Sequence, residues 1–211
     1  HGEVYTEPLV LAGTTNLRAV AYRSGYVSLP SITRTYVFLD DVLEQSIADQ
    51  PPEYLYDLAD YDMDPRVVDD PRYSGTIKGD LKSIPTLSIV TDVDHLFGPQ
   101  NGIYTHRTGR GDKWERPTSV ELFSADGESN LQINCGIRIQ GGVSRLSDLG
   151  KYSFRLLFKS AYGPSKLDYP FFPGSPVEEF DTITLSAFHN NSWAAGGSKA
   201  QYIRDTWLKD T

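Results

Sequence analysis

The chain's 211 residues suffice for one or two domains with a substantial core; its 39% hydrophobic and 12% aromatic content, with 13 tyrosines, excludes a disordered chain. A net charge of −8 argues against non-specific nucleic-acid binding, which needs a broad basic field, and no stretch reads as a membrane span. The single cysteine excludes an internal disulfide, so packing alone must hold the fold.

Residues 1–39 read as three strands, at 8–11, 15–23 and 31–39, parted by Ala12-Gly13 and by Ser24-Gly25-Tyr26. In the middle run Leu17, Ala19 and Ala21 alternate with Arg18, Val20 and Tyr22, which suits one face to a core. Residues 40–80 set Pro51, Pro52, Pro65 and Pro71 among many aspartates. Proline removes a donor and biases its predecessor away from helix, so only 41–48 reads as a short helix and the remainder as connector. Asp57, Asp60, Asp62 and Asp64 have the close spacing a calcium ion favours, but the glycine and closing glutamate of a helix-loop-helix site are missing. A solvated linker is the preferred reading.

Residues 84–92 read as the first strand of a second region, with Leu87 and Ile89 on one side. Residues 97–104 are expected to turn into a short strand, and 105–117 to form a loop of mixed charge. Two strands, 119–123 and 131–140, form a hairpin around Asp126-Gly127, a strong turn signal. Further strands follow at 151–158 and 182–186, with an aromatic segment at 169–174 that reads as a packing plug. The last stretch, 199–211, is helical, with Ala200, Ile203 and Trp207 on one stripe. The fold class this pattern predicts is α+β and strand-rich: an open antiparallel sheet covered on one side.

The most informative stretch is Cys135-Gly-Ile-Arg-Ile-Gln-Gly-Gly-Val-Ser-Arg145, followed by Lys151-Tyr-Ser-Phe-Arg-Leu-Leu-Phe-Lys159. Arg138 and Gln140 share one strand face and Ile137 and Ile139 the other. In the second strand Tyr152, Phe154, Leu156 and Phe158 point one way, while Lys151, Ser153, Arg155 and Lys159 point the other, with Leu157 the apolar exception. Between them, Gly141-Gly142 lets backbone amides approach an anion closely. A cationic sheet face beside a glycine turn suits a phosphate-bearing ligand; the plainer alternative is a structural hairpin with solvated cations. Cys135, inside the strand pattern, reads as a small buried thiol.

Gly136-Ile-Arg-Ile-Gln-Gly-Gly-Val-Ser-Arg145, Lys151-Tyr-Ser-Phe-Arg-Leu-Leu-Phe158, Phe180-Asp-Thr-Ile-Thr-Leu185 and Tyr202-Ile-Arg-Asp205 resemble the amino-terminal half of the CotH family of spore-coat-type atypical protein kinases. Upstream, Thr14-Thr-Asn-Leu-Arg-Ala-Val-Ala-Tyr-Arg-Ser-Gly25 and Ser31-Ile-Thr-Arg-Thr-Tyr-Val-Phe38 resemble the tail of a chitobiase/beta-hexosaminidase C-terminal-type module, a small β-sandwich. Together the resemblances imply a partial sandwich at 1–39, an acidic proline-rich connector at 40–80, and at 81–211 a truncated kinase-like amino-terminal lobe: an antiparallel sheet with one C-terminal helix. They imply a multidomain bacterial protein, secreted or at the cell surface, that uses ATP and magnesium to phosphorylate serine on a surface or coat protein. Neither nucleic acid nor a membrane span enters that picture.

In kinase-like sites a glycine-bearing hairpin covers the nucleotide phosphates and a cation on a neighbouring strand neutralises them. The resemblance makes Gly141, Gly142, Ser144 and Arg145 the candidate cover, with Arg138 on the same face and either Lys151 or Arg155 as the strand cation. An equal alternative packs the Arg155 stem and pairs its head with an acid across the sheet. In the family the proton acceptor and the magnesium carboxylates lie in the carboxy-terminal lobe, so no catalytic or metal residue is assigned, and this chain alone is expected to bind without turnover. Arg204 or Asp205, in the terminal helix, is the weakest candidate for orienting the strand cation.

Other chemistry is less well supported. Copper chelation by His1 needs a processed terminus, and His189-Asn190-Asn191-Ser192 reads better as a helix cap than as a site. No GxSxG, HExxH or paired-cysteine motif occurs. The rival reading is a non-catalytic surface or carbohydrate-associated module, with Trp114 and Trp193 stacking on sugars if exposed.

Overall fold

Alternation of apolar and polar side chains over two long segments builds the centre of the fold. Arg116–Phe123 and Ser129–Gln140 pair antiparallel and are flanked by Thr86–Val90 and Ser153–Leu157, with Thr182–Leu185 on the far edge. The computed structural model describes residues 2–26, 30–49, 61–125, 128–146, 152–172 and 174–187. In chain order they form β1 (Thr15–Ala19), β2 (Ile32–Tyr36), α1 (Leu39–Glu44), α2 (Pro65–Val68), α3 (Ile77–Lys82), β3 (Thr86–Val90), α4 (Val93–Phe97), β4 (Arg116–Phe123), β5 (Ser129–Gln140), β6 (Ser153–Leu157), β7 (Leu167–Asp168), β8 (Glu179–Phe180) and β9 (Thr182–Leu185). The main sheet runs β3-β4-β5-β6-β9, antiparallel throughout, and the class is α+β, rich in strands.

The register decides which face is dry. Val120 lies opposite Ile133, Ile137 opposite Leu156, and Leu156 opposite Ile183, so these side chains share one face of the pleat. With Cys135, Ile139 and Phe158 they form the core, closed over by Leu96 of α4, by Ile103 and Tyr104 from the turns after it, and by Leu167, Tyr169 and Phe171. Each fully buried aliphatic side chain here contributes about 1.5–3 kcal/mol relative to exposure. The 169–174 segment thus packs through Tyr169 and Phe171, while Phe172 is 54% exposed.

The opposite face is polar, and the β1–β2 hairpin sits on part of it. Arg34 Nη1 donates to Glu121 Oε1 at 2.8 Å, the Thr35 amide donates to Glu121 Oε2 at 2.8 Å, and Thr35 Oγ1 lies 2.7 Å from Ser88 Oγ. Asn134 Nδ2 donates to the Ser31 carbonyl at 2.7 Å. Alternation puts Thr33 and Thr35 of β2 on the side toward the sheet, and Thr33 is buried.

Several elements differ from expectation. Residues 8–11 form no strand: Val10 is 94% exposed, and among the described residues no second strand offers them a ladder. The strands expected at 15–23 and 31–39 are shortened to β1 and β2: their ladder ends at the pair Ala19 and Ile32, and Leu39 already starts α1. The expected connector contains α2 and α3. Asp64 accepts from the Arg66 amide at 2.8 Å with Pro65 at the first helical position, a local cap that outweighs the prolines. Residues 97–104 are not a turn leading into a strand; Asp92 caps α4, and tight turns follow through 108. The helix expected at 199–211, the turn Asp126-Gly127, and Lys151, His189 and Trp193 lie outside the described residues.

Candidate functional site

On the polar face one transverse row holds most of the charge. Arg138 of β5 lies directly opposite Arg155 of β6, which lies opposite Thr184 of β9. Arg116 pairs with Ile137, so Glu115, one residue earlier, enters beside Arg138 at the other end of the row. Like charges directly opposite on neighbouring strands are unfavourable by roughly 0.2–1 kcal/mol, so an arginine facing an arginine calls for a counter-charge.

Glu115 supplies part of it. Its carboxylate is 1% exposed and accepts from Arg138 Nη1 at 3.0 Å, from Lys159 Nζ at 3.0 and 2.9 Å, and from the Tyr162 hydroxyl at 3.2 Å. A buried carboxylate is tolerable only with such a set of donors. The hydrogen bond to Glu115 raises the Lys159 ammonium above the ordinary lysine range, and burial, reinforced by the charge of Glu115, raises the Tyr162 phenol. Lys159 therefore stands on the cationic side the alternation predicts, but it is already spent.

Arg155 is different. Its Nε is buried with no hydrogen-bond partner, and it has no carboxylate partner among the described residues. The acid expected across the sheet under the alternative reading is absent from that set. Arg110, on the surface nearby, likewise has no ion pair among the described residues. Arg110, Arg138 and Arg155 all lie close enough to Arg145 for their charges, after burial itself, to push its guanidinium below the ordinary arginine value.

The glycine turn borders this face. Gly141 has φ +125°, a region that disfavours side chains, and a Cβ there would run into the Ser144 hydroxyl. Gly142 has open space around it. Val143–Leu146 then forms a single 3₁₀ turn. Arg145 points inward: Nη1 donates to the Gly109 carbonyl at 2.6 Å, Nη2 donates to the Ile139 carbonyl, and its own carbonyl accepts from Arg107 Nε at 2.9 Å. It staples the turn to the segment before β4, so its two terminal nitrogens are engaged by backbone carbonyls. Of the seven residues expected at the site, Arg138 and Arg155 meet on one face, Gly141, Gly142, Ser144 and Arg145 form the adjacent turn, and Lys151 lies outside the described residues.

Sequence reasoning missed Glu115, Tyr162 and Arg110. The signal for Glu115 was the hairpin register, but the ladder shifts between Leu122 and Phe123, so counting back from the turn misplaces every partner by one. Tyr162 gave no local signal: its ring lies against Gly136, where a Cβ would collide with it.

Other candidates have structural roles. Cys135 is fully buried and burial pushes its thiol up to about 12, which keeps it protonated and inert. Trp114 is half-buried, its ring 4.9 Å from that of His106 and beneath the Arg116 guanidinium at 5.5 Å, so it presents no free platform. Asp62 accepts from the Ile47 amide and Asp64 pairs with Arg66; among the described residues no group of three or more potential ligands is placed to hold a metal. A cleft of about 570 Å³ lies away from the arginines, between Tyr36, Leu81, Ile84 and Phe123, and its lining includes one cation, Lys82. No protein-family model, curated protein or solved structure matches the chain.

Proposed function

We propose that the arginine face binds the phosphates of ATP, and that the chain is the nucleotide-binding part of a CotH-like atypical protein kinase that phosphorylates serine on a surface or coat protein outside the cell. One observation carries the reading: Arg155 faces Arg138 directly across adjacent strands, and Arg155 has no carboxylate partner among the described residues. Two arginines directly opposite one another repel by roughly 0.2–1 kcal/mol, and a polyphosphate bound across them relieves that repulsion. Arginine's planar fork suits phosphate oxygens, and Glu115 holds the Arg138 fork in a fixed position at the edge of the site. Gly141-Gly142 at the end of β5 is the turn the resemblance makes a phosphate cover. Under this reading the β1–β2 hairpin is the end of a sandwich-type module resting on the lobe, and residues 40–80 connect the two.

Magnesium fits this face only as a companion of the nucleotide. Glu115, the carboxylate beside Arg138, is fully engaged by Arg138, Lys159 and Tyr162, so the ion's charge would be met by the phosphates themselves.

Isothermal titration with magnesium-ATP and with tripolyphosphate tests the proposal. The expected result is saturable binding of both, weakened at least tenfold, about 1.4 kcal/mol, in the Arg138→Ala, Arg155→Ala double variant. Unchanged affinity in that variant removes the face from the site.

A further inference from the structure

The β1–β2 hairpin does not lie flush on the sheet. Its anchors at Glu121, Ser88 and Asn134 leave a cavity of about 170 Å³ farther along the polar face, lined by Arg18, Thr33, Asp92, His95, Asn134 and Tyr162 among others. None of the arginines of the phosphate face lines it. We propose that this cavity is a binding site for one neutral saccharide ring, independent of the phosphate reading.

Three observations carry the proposal. First, the lining is polar and its hydrogen-bonding capacity is open. Arg18 spends only Nε, donating to Thr33 Oγ1 at 3.3 Å, which leaves the two terminal nitrogens of the fork. Asp92 spends Oδ1 on the Asp94 amide at 3.0 Å as the cap of α4, which leaves Oδ2. His95 completes that side of the lining. Empty protein cavities are apolar, whereas polar ones are filled by groups that satisfy their walls.

Second, the walls are electrically balanced. Arg18 and Asp92 are both exposed at the rim and cancel one another, so the cavity offers donors and acceptors with no net charge. A sugar hydroxyl, donor and acceptor at once, meets both kinds of wall; an anion meets only one.

Third, one wall is a fixed aromatic ring. Tyr162 lies against Gly136 and its hydroxyl donates to Glu115, so an aromatic side chain held in place lines the cavity, a partner suited to the C–H side of a pyranose. The volume sets the size of the ligand, because pockets for drug-sized molecules run from about 300 Å³ upward, and this one suits a single ring.

The test is an NMR titration of the whole chain, ¹⁵N-labelled at histidine and ¹³C-labelled at tyrosine. Glucose, galactose and N-acetylglucosamine are the probes, with glycine and glutamate as zwitterionic controls. At least one sugar is expected to shift both the His95 ring and Tyr162 resonances saturably in the millimolar range. Asp92→Asn, which keeps a good helix cap, and Arg18→Gln, at an exposed position, should each weaken that binding at least tenfold. The proposal is overturned if no sugar moves those resonances, if the zwitterions move them equally, or if both folded variants titrate like the parent chain.

Discussion

Replacing Glu115 with alanine tests the electrostatic design of the polar face. The carboxylate is 1% exposed, while the Arg138 and Lys159 side chains are 22% and 40% exposed. Breaking a fully buried pair costs about 3–5 kcal/mol. Because both cations here keep contact with water, the loss is discounted to about 2–3 kcal/mol, with up to about 1 kcal/mol added as Arg138 and Arg155 face each other uncompensated. Urea unfolding followed by tryptophan fluorescence should show a lower midpoint at unchanged slope. Glu115→Gln, which keeps an acceptor but not the charge, should lose roughly half as much. Adding Arg138→Ala to Glu115→Ala should recover part of the loss, since the two residues share one network. A cost below about 0.5 kcal/mol for Glu115→Ala, or strict additivity in the double variant, refutes the reasoning.

Arg155→Leu should have opposite effects on stability and binding: about 1 kcal/mol more stable in urea, from relief of the orphaned Nε and the like-charge contact, yet at least tenfold weaker for tripolyphosphate by calorimetry. Gly141→Ala should cost about 1–3 kcal/mol through its positive φ and the Ser144 contact, while Gly142→Ala, with open space around it, should be close to neutral in the same unfolding assay. Alkaline pH should destabilise the fold. Burial raises Cys135 and Tyr104 to about 12, and Glu115 raises Lys159, so the folded state binds these protons more tightly than the unfolded chain. The corresponding stability is intact below about pH 9 and is lost as pH rises toward 12, first through Cys135 and above about pH 10 through Tyr104 as well, by roughly 1 kcal/mol per pH unit for each, measurable as a falling urea midpoint.

The central hairpin was readable because its signals are local. Alternation over 119–123 and 131–140 around Asp126-Gly127 specifies β4, β5 and their dry face, and the same alternation puts Arg138 and Arg155 on one side. What stayed hidden depends on partners distant in sequence. Glu115 becomes a counter-ion only through the β4–β5 register, which a bulge displaces, and Tyr162 becomes a wall only because Gly136 leaves room for its ring. Arg145 has the same composition as a phosphate-binding arginine, yet the carbonyls of Gly109 and Ile139 turn it inward. The short helices α2 and α4 escaped because a single capping aspartate, Asp64 or Asp92, suffices to start a turn amid prolines and polar residues. Residues 8–11 have strand-like composition but no neighbouring strand among the described residues, and composition alone does not make a ladder.

The Arg155 side-chain N–H peak reports on the central claim most directly, because that guanidinium faces Arg138 with no carboxylate partner among the described residues. In a ¹H–¹⁵N spectrum assigned with Arg155→Lys, adding tripolyphosphate should move the peak downfield and slow its exchange with water, as a charge-assisted hydrogen bond forms. A peak that stays in place while tripolyphosphate saturates the protein contradicts the account.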